Sequence, residues 1–358
     1  MYGQERKRNV VLDIAKGIGI LLVVLGHCPQ VWIPVKQWIF SFHVPLFFLI
    51  AGMVWDRTSH KESGFLNGSF LAKKALRLLV PCFLWGLVYL LARAIVSSSF
   101  KLESLAYLLF NSQRSISKAG SMTALWFLSC MFVAVCLFEG IQYFVEKTKH
   151  RNWILLGLSL VFAALGLFLP RLPLGYPWNV DIAMLALALM LWGSLAKETF
   201  EKLQDRQWLC LLISVLAFAV MALTYRLNVS ELPNKYVDIS GRLFGNLALF
   251  LLDALCGSVC VLAFSAFLNG LPLISQLLSR LGRDTIPILI FHKPVVLALG
   301  TVFGKMGVSD TTAVLIEFLL AVVISEGVYV LTAPLLPFLY GESRLDRNDY
   351  ARGMTRYR

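Results

Sequence analysis

Apolar residues run through this chain in ten long stretches separated by short polar, mostly basic segments. The stretches fall at roughly 10–28, 38–55, 76–97, 124–145, 153–169, 178–196, 208–225, 242–268, 285–304 and 313–339. About 20 consecutive apolar residues are what an α-helix needs to cross the hydrocarbon core of a bilayer. Most of the stretches are apolar all round rather than on one stripe, as in helices that face lipid or other helices on every side. The pattern predicts an all-α, polytopic membrane helix bundle of about ten transmembrane helices. No connection is long enough to hold a second folded unit, so one membrane domain is expected over 1–340, followed by a basic tail at 341–358. The connection at about 98–123 carries Leu105, Tyr107, Leu108, Leu109 and Phe110, and is expected to lie as a short interfacial helix.

Composition agrees. Of 358 residues, 58% are hydrophobic and 15% charged, far from the balance of a soluble domain. With the N-terminus placed inside, 21 of the 33 Lys and Arg fall in cytoplasmic segments and 9 outside. The positive-inside rule therefore predicts both termini cytoplasmic. The net charge of +12 reads as this orientation signal, helped by attraction to anionic lipid. No basic run is interleaved with aromatics in a soluble segment, so no nucleic-acid partner is expected. Arg6-Lys7-Arg8 before an apolar run resembles a signal peptide, but Asp13 and Lys16 interrupt the run and no small-x-small site follows, which predicts an uncleaved first span. The seven cysteines lie in or at the ends of spans without metal-ligand spacing. They are read as packing residues, and no metal is expected.

Ionisable side chains at membrane depth are costly and mark function by default. Asp13 and Lys16, three apart, share a helix face near the cytoplasmic end. His27 lies eleven residues beyond Lys16, about 16 Å along a helix, toward the external leaflet. The second span returns inward from about Trp38, which places His43 about 8 Å below the external edge. Two imidazoles at similar depth can supply a general base and a partner, because histidine titrates near neutrality. Trp126, Asp181 and Arg242 open later spans at the external side and are expected around the same vestibule. Arg77, deeper than Lys73 and Lys74, is expected to bind phosphate. His292 and Lys293 precede Pro294 inside the ninth span, with Asp253 or Glu326 as candidate counter-ions for Lys293.

These residues also form an ordered set. Leu12-Asp13-Ile14-Ala15-Lys16-Gly17 and Leu25-Gly26-His27 come first. Ser41-Phe42-His43-Val44-Pro45-Leu46-Phe47-Phe48 follows, then the basic cluster ending at Pro81, Leu125-Trp126-Phe127-Leu128, and Leu281-Gly282-Arg283 leading to His292-Lys293-Pro294. The set resembles membrane acyltransferase family 3, and within it the fucose 4-O-acetylase-like branch. The chain departs from that pattern at Lys16, where many members carry arginine, at Val44, often methionine, and at Asp284-Thr285, usually a serine-tyrosine pair.

The resemblance implies an enzyme of the bacterial cytoplasmic membrane. It would transfer an acyl group, usually acetyl from acetyl-CoA or another acyl-CoA, to a hydroxyl of a cell-surface glycan or lipid-linked sugar. It assigns catalysis to His27 and His43. It assigns the family's paired basic residue to Lys16, and the positions of Asp13, Arg77, Trp126, Asp181, Arg242 and His292 along the chain add them to Lys16 as expected donor- or acceptor-binding residues. Two other classes remain open on the residues alone. A transporter or exporter would use His27, His43, Asp253 and Lys293 as an ion or proton path, and a non-catalytic membrane scaffold would leave those charges unexplained.

Overall fold

The structure, a computed structural model, describes residues 8–55, 68–230 and 232–342. Arg6, Lys7, Arg57, Lys61 and the arginines after 342, which the orientation argument used, lie outside the described residues, as does nearly all of the expected tail. The described chain is helical without strands. In order the helices are α1 (Val10–His27), α2 (Ile33–Val54), α3 (Gly68–Ser97), α4 (Glu103–Phe110), α5 (Gln113–Ala119), α6 (Trp126–Val145), α7 (Arg151–Phe168), α8 (Val180–Leu203), α9 (Gln207–Val229), α10 (Leu247–Leu268), α11 (Pro272–Arg283), α12 (Thr285–Met306) and α13 (Asp310–Thr332). Ten of them are long and apolar enough to cross a membrane, and they correspond one to one with the ten stretches.

Local chemistry sets the ends. Asn9 caps α1 by accepting from the Val11 and Leu12 amides at 3.0 and 3.3 Å, and Asn246 caps α10 in the same way. Pro34 sits in the first turn of α2, where its missing N–H costs nothing. α2 therefore starts at Ile33, five residues before the expected Trp38. α3 is already helical at Gly68, so Lys73, Lys74 and Arg77 ride on a helix rather than a loop. α10 starts at Leu247 instead of 242. α13 ends at Thr332, and the chain finishes in a short 3-10 turn at Pro337–Tyr340. The connection at about 98–123 forms two short helices, α4 and α5, instead of one.

α1, α2 and α8 are the most enclosed spans, with 61–67% of their apolar windows buried, against 22% for α3, α7 and α13. The leucines that α7, α9 and α13 leave exposed are the surface that lipid covers. Two close crossings hold the centre. Gly52 and Gly193 let α2 and α8 meet backbone to backbone, where a Cβ would fall 1.9–2.0 Å from a carbonyl oxygen of the other helix. Gly17 and Gly282 do the same for α1 and α11. α11 was not expected as an element. At 12 residues it is about 18 Å long, too short to span. Its buried Ser275, Ser279 and Gly282 face inward, while Leu273 and Leu277 are exposed.

Candidate active site

A cavity of about 790 Å³ runs beside α1 from Lys16 to His27. Its two ends differ in chemistry. Lys16, Lys73, Lys74, Arg77 and Arg283 line the end on the side of the α1 N-terminus. Ile20, Val23, Phe47, Phe127 and Leu289 make the middle apolar. His27, His43, Phe40 and the loop residues Val237 to Ser240 line the far part. The cavity is therefore an apolar passage between a basic mouth and an imidazole-bearing end, over the ~16 Å that eleven helical residues span.

At the basic mouth, Lys16 pairs with Asp13 at 2.6 Å, and Arg8 donates to the same carboxylate. Asp13 is 4% exposed and does not line the cavity. It is the counter-ion of Lys16, which does line the cavity. Arg77 is exposed at the rim, shallower than its sequence position suggests.

At the far end the three intramembrane histidines share one arrangement. Nδ1 of His27 lies 2.8 Å from the Val23 carbonyl, that of His43 2.9 Å from Ile39, and that of His292 2.9 Å from Ile288. A carbonyl can only accept, so each Nδ1 carries the proton and each Nε2 keeps a lone pair. The rings of His27 and His292 stand edge to face with centroids 5.1 Å apart, and Phe40 packs on both His27 (5.6 Å) and His43 (4.8 Å). Gly26 packs against Ile39 and Phe40. His43 therefore stands about one helical turn deeper than His27, not at equal depth as expected from a helix beginning at Trp38. His292, expected in ligand binding, packs against the His27 ring and is not among the cavity-lining residues. Its Nε2 is buried with no hydrogen-bond partner. Among the described residues no group of three His, Cys, Asp or Glu is placed to hold a metal ion.

Trp126 lines the cavity at 8% exposure. Asp181 and Arg242, expected beside it, do not. Arg242 sits in a turn at φ 57° before α10. Its guanidinium donates to the carbonyls of Gly166, Leu167, Leu169 and Pro170 at 2.7–3.3 Å and pairs with Asp181 at 3.6 Å. The C-terminal carbonyls of a helix lack intrahelical donors; the two terminal nitrogens of Arg242 satisfy those of α7, and its Nε is buried without a hydrogen-bond partner. Lys293 takes neither expected carboxylate. Its ammonium donates to Thr123, Asp253 accepts from Thr224, and Glu326 keeps an unpartnered oxygen. Asp238 reaches Lys293 electrostatically. It lines the cavity and was passed over in the sequence, where it looks like an ordinary loop residue.

Comparison with known proteins agrees with this architecture. The chain is 28% identical over 177 residues to the nodulation protein NolL of Sinorhizobium fredii, covering 47% of this chain and 45% of the relative. Against the NolL of Mesorhizobium japonicum it is 28% identical over 185 residues, covering 48% and 46%. It thus spans about half the length of the curated relatives it matches. No solved structure matches. The sequence profile of an acyltransferase domain, that of acyltransferase family 3, matches residues 9–332 and so takes in nine-tenths of the chain and every cavity-lining helix; this multi-pass membrane protein belongs to that acyltransferase family.

Proposed function

We propose that the protein is an O-acyltransferase that carries an acyl group, acetyl in the first instance, from acyl-CoA at the basic mouth to a sugar hydroxyl at the far end. The observation that carries the reading is the order of chemistries along the cavity. Cations suit the coenzyme's phosphates, an apolar passage suits its thioester arm, and imidazoles with free Nε2 lone pairs suit proton removal. On this reading the basic mouth and both termini are cytoplasmic, in the plasma membrane of a bacterium. The acceptor is a glycan or lipid-linked sugar reached from outside, as in the fucose 4-O-acetylase-like branch.

In the step we propose, His27 Nε2 takes the proton of the acceptor hydroxyl as its oxygen attacks the thioester carbonyl. The C–S bond then breaks, and the thiolate leaves with the proton returned from His27. Each neutral Nε2 can accept only one proton, and the Val23 carbonyl on Nδ1 holds His27 in the tautomer this requires. Charge developing on the carbonyl oxygen needs donors in the cavity wall, and Trp126, which lines the cavity, carries an indole N–H of that kind. His43, one turn deeper, meets the arriving thioester arm.

The test uses proteoliposomes with labelled acetyl-CoA on one side and a glycan acceptor on the other. Transfer is expected, lost in His27→Ala and kept within about twofold in Cys28→Ala. The Cys28 thiol is buried and donates to the Val24 carbonyl, out of the chemistry. Movement of an intact solute without coenzyme dependence would refute the reading in favour of a transporter.

A further inference from the structure

The cavity's far wall is closed by the connection between α9 and α10, and this loop is built rigidly. Asp238 and Leu243 exchange both backbone hydrogen bonds, at 2.9 and 2.8 Å, across the turn between them. Gln37 of α2 donates to the Lys235 carbonyl at 2.8 Å. Arg171 donates to the Arg242 carbonyl at 2.7 Å, while the Arg242 side chain is pinned to the end of α7. A loop tied to α2, to the end of α7 and to the connection after it presents fixed side chains.

The turn presents Asp238 and Ser240 to the cavity. Oδ1 of Asp238 accepts from Ser240 Oγ at 2.6 Å and from the Gly241 amide at 3.0 Å, which orients the carboxylate. Oδ2 accepts no hydrogen bond from any described residue, and Asp238 makes no ion pair with one. It lines the same cavity as His27 and His43. The adjoining wall is aromatic. Phe40 lines the cavity between the two histidines and is backed edge to face by Tyr236 at 4.9 Å, with the Lys36 ammonium 4.8 Å from the Tyr236 ring centroid. Burial, with the Asp238 charge adding to it, holds the Tyr236 hydroxyl above the ordinary phenol range, so it stays protonated.

We propose that Asp238, with Ser240 and the Phe40 ring, forms the acceptor subsite and grips the sugar through a hydroxyl neighbouring the one that is acylated. The inference rests on the acyltransferase reading and names its substrate class: a pyranose-like ring with an apolar C–H face and at least two adjacent hydroxyls. Three properties of the wall select for this. An ionised carboxylate only accepts hydrogen bonds, so its free oxygen calls for a donor, and a hydroxyl is one. The aromatic face takes the ring's C–H side. The position on the side away from the basic mouth separates this subsite from the coenzyme. Asp238 thus binds substrate without exchanging a proton, and discrimination arises because an acceptor lacking the neighbouring hydroxyl leaves a desolvated carboxylate oxygen unpaired.

The experiment measures two rates in proteoliposomes of the full chain: acetyl transfer from acetyl-CoA to methyl fucoside or its monodeoxy derivatives, and acetyl-CoA hydrolysis without acceptor. Asp238→Asn is expected to raise the glycoside KM about 10- to 100-fold, the loss of a charged hydrogen bond. It should leave the acetyl-CoA KM within twofold, and abolish the preference for the intact glycoside over one monodeoxy derivative. Gly241→Ala places a methyl 2.6 Å from Asp238 Oδ2, displacing the carboxylate while keeping its charge, and should shift the glycoside KM in the same direction. A glycoside KM unchanged in both variants overturns the subsite. An acetyl-CoA KM that rises in parallel with the glycoside KM overturns it as well, showing a structural role. A wild-type protein that neither hydrolyses acetyl-CoA nor transfers its acetyl group refutes the acyltransferase reading itself.

Discussion

Replacing Arg242 by alanine should be among the most damaging single changes outside the cavity. The side chain is 6% exposed, donates to four carbonyls and faces Asp181. Its removal leaves the end of α7 without donors and a carboxylate at 5% exposure without its cation. Breaking one side of a buried charge pair costs about 3–5 kcal/mol, or more than 100-fold in an unfolding equilibrium. Asp181→Asn is a weaker perturbation. Arg242 keeps its carbonyls, the lost contact is long at 3.6 Å, and the amide still accepts, so the cost is about 1–2 kcal/mol. Denaturant unfolding in mild detergent measures both. The order Arg242→Ala worse than Asp181→Asn follows from the carbonyl bonds. If Asp181→Asn is the more destabilising, or Arg242→Ala unfolds like wild type, the guanidinium is not a structural pin and the expectation that it faces substrate is restored. At temperatures where Arg242→Ala stays folded, transfer should suffer more than acyl-CoA hydrolysis, since the pin holds the Asp238 turn.

Two further outcomes follow from the site and its supports. Lys16→Met removes a cation from the basic mouth while Asp13 retains Arg8; the acyl-CoA KM should rise about tenfold with kcat little changed, and Lys16→Arg should recover most of it, whereas a fall in kcat alone would put Lys16 in the chemical step. Gly282→Ala sets a methyl 1.8 Å from the Asp13 carbonyl oxygen and should cost about 1–3 kcal/mol in a thermal unfolding assay, while Gly157→Ala, where nothing lies within 4 Å, should be neutral.

Much of the site was legible because helical rise is a ruler. The eleven residues from Lys16 to His27 fix their separation along α1 whatever the rest of the fold does, and the structure puts both on one cavity. The same ruler failed for His43 only because Pro34 lets α2 begin a turn early. The meeting of His292 with His27 depends on α12 packing beside α1, which spacing within either helix does not encode.

What is local can be read from the order of residues alone. Lipid demands long apolar helices with every backbone group paired internally, so ten hydrophobic runs are enough to give ten spans. Intramembrane charges are rare enough to mark His27, His43 and Lys16 without a fold. Tertiary structure decided which polar residues are spent and which are available. Arg242, Asp181 and Asp13 carry the same charges as any ligand-binding group, but carbonyls and counter-ions at 2.6–3.6 Å engage them. Asp238, inconspicuous in a loop, keeps an oxygen free because its turn is held against α2 and α7. Whether a charge serves the fold or the substrate depends on the partners that distant segments bring to it, and in a low-dielectric interior those contacts decide.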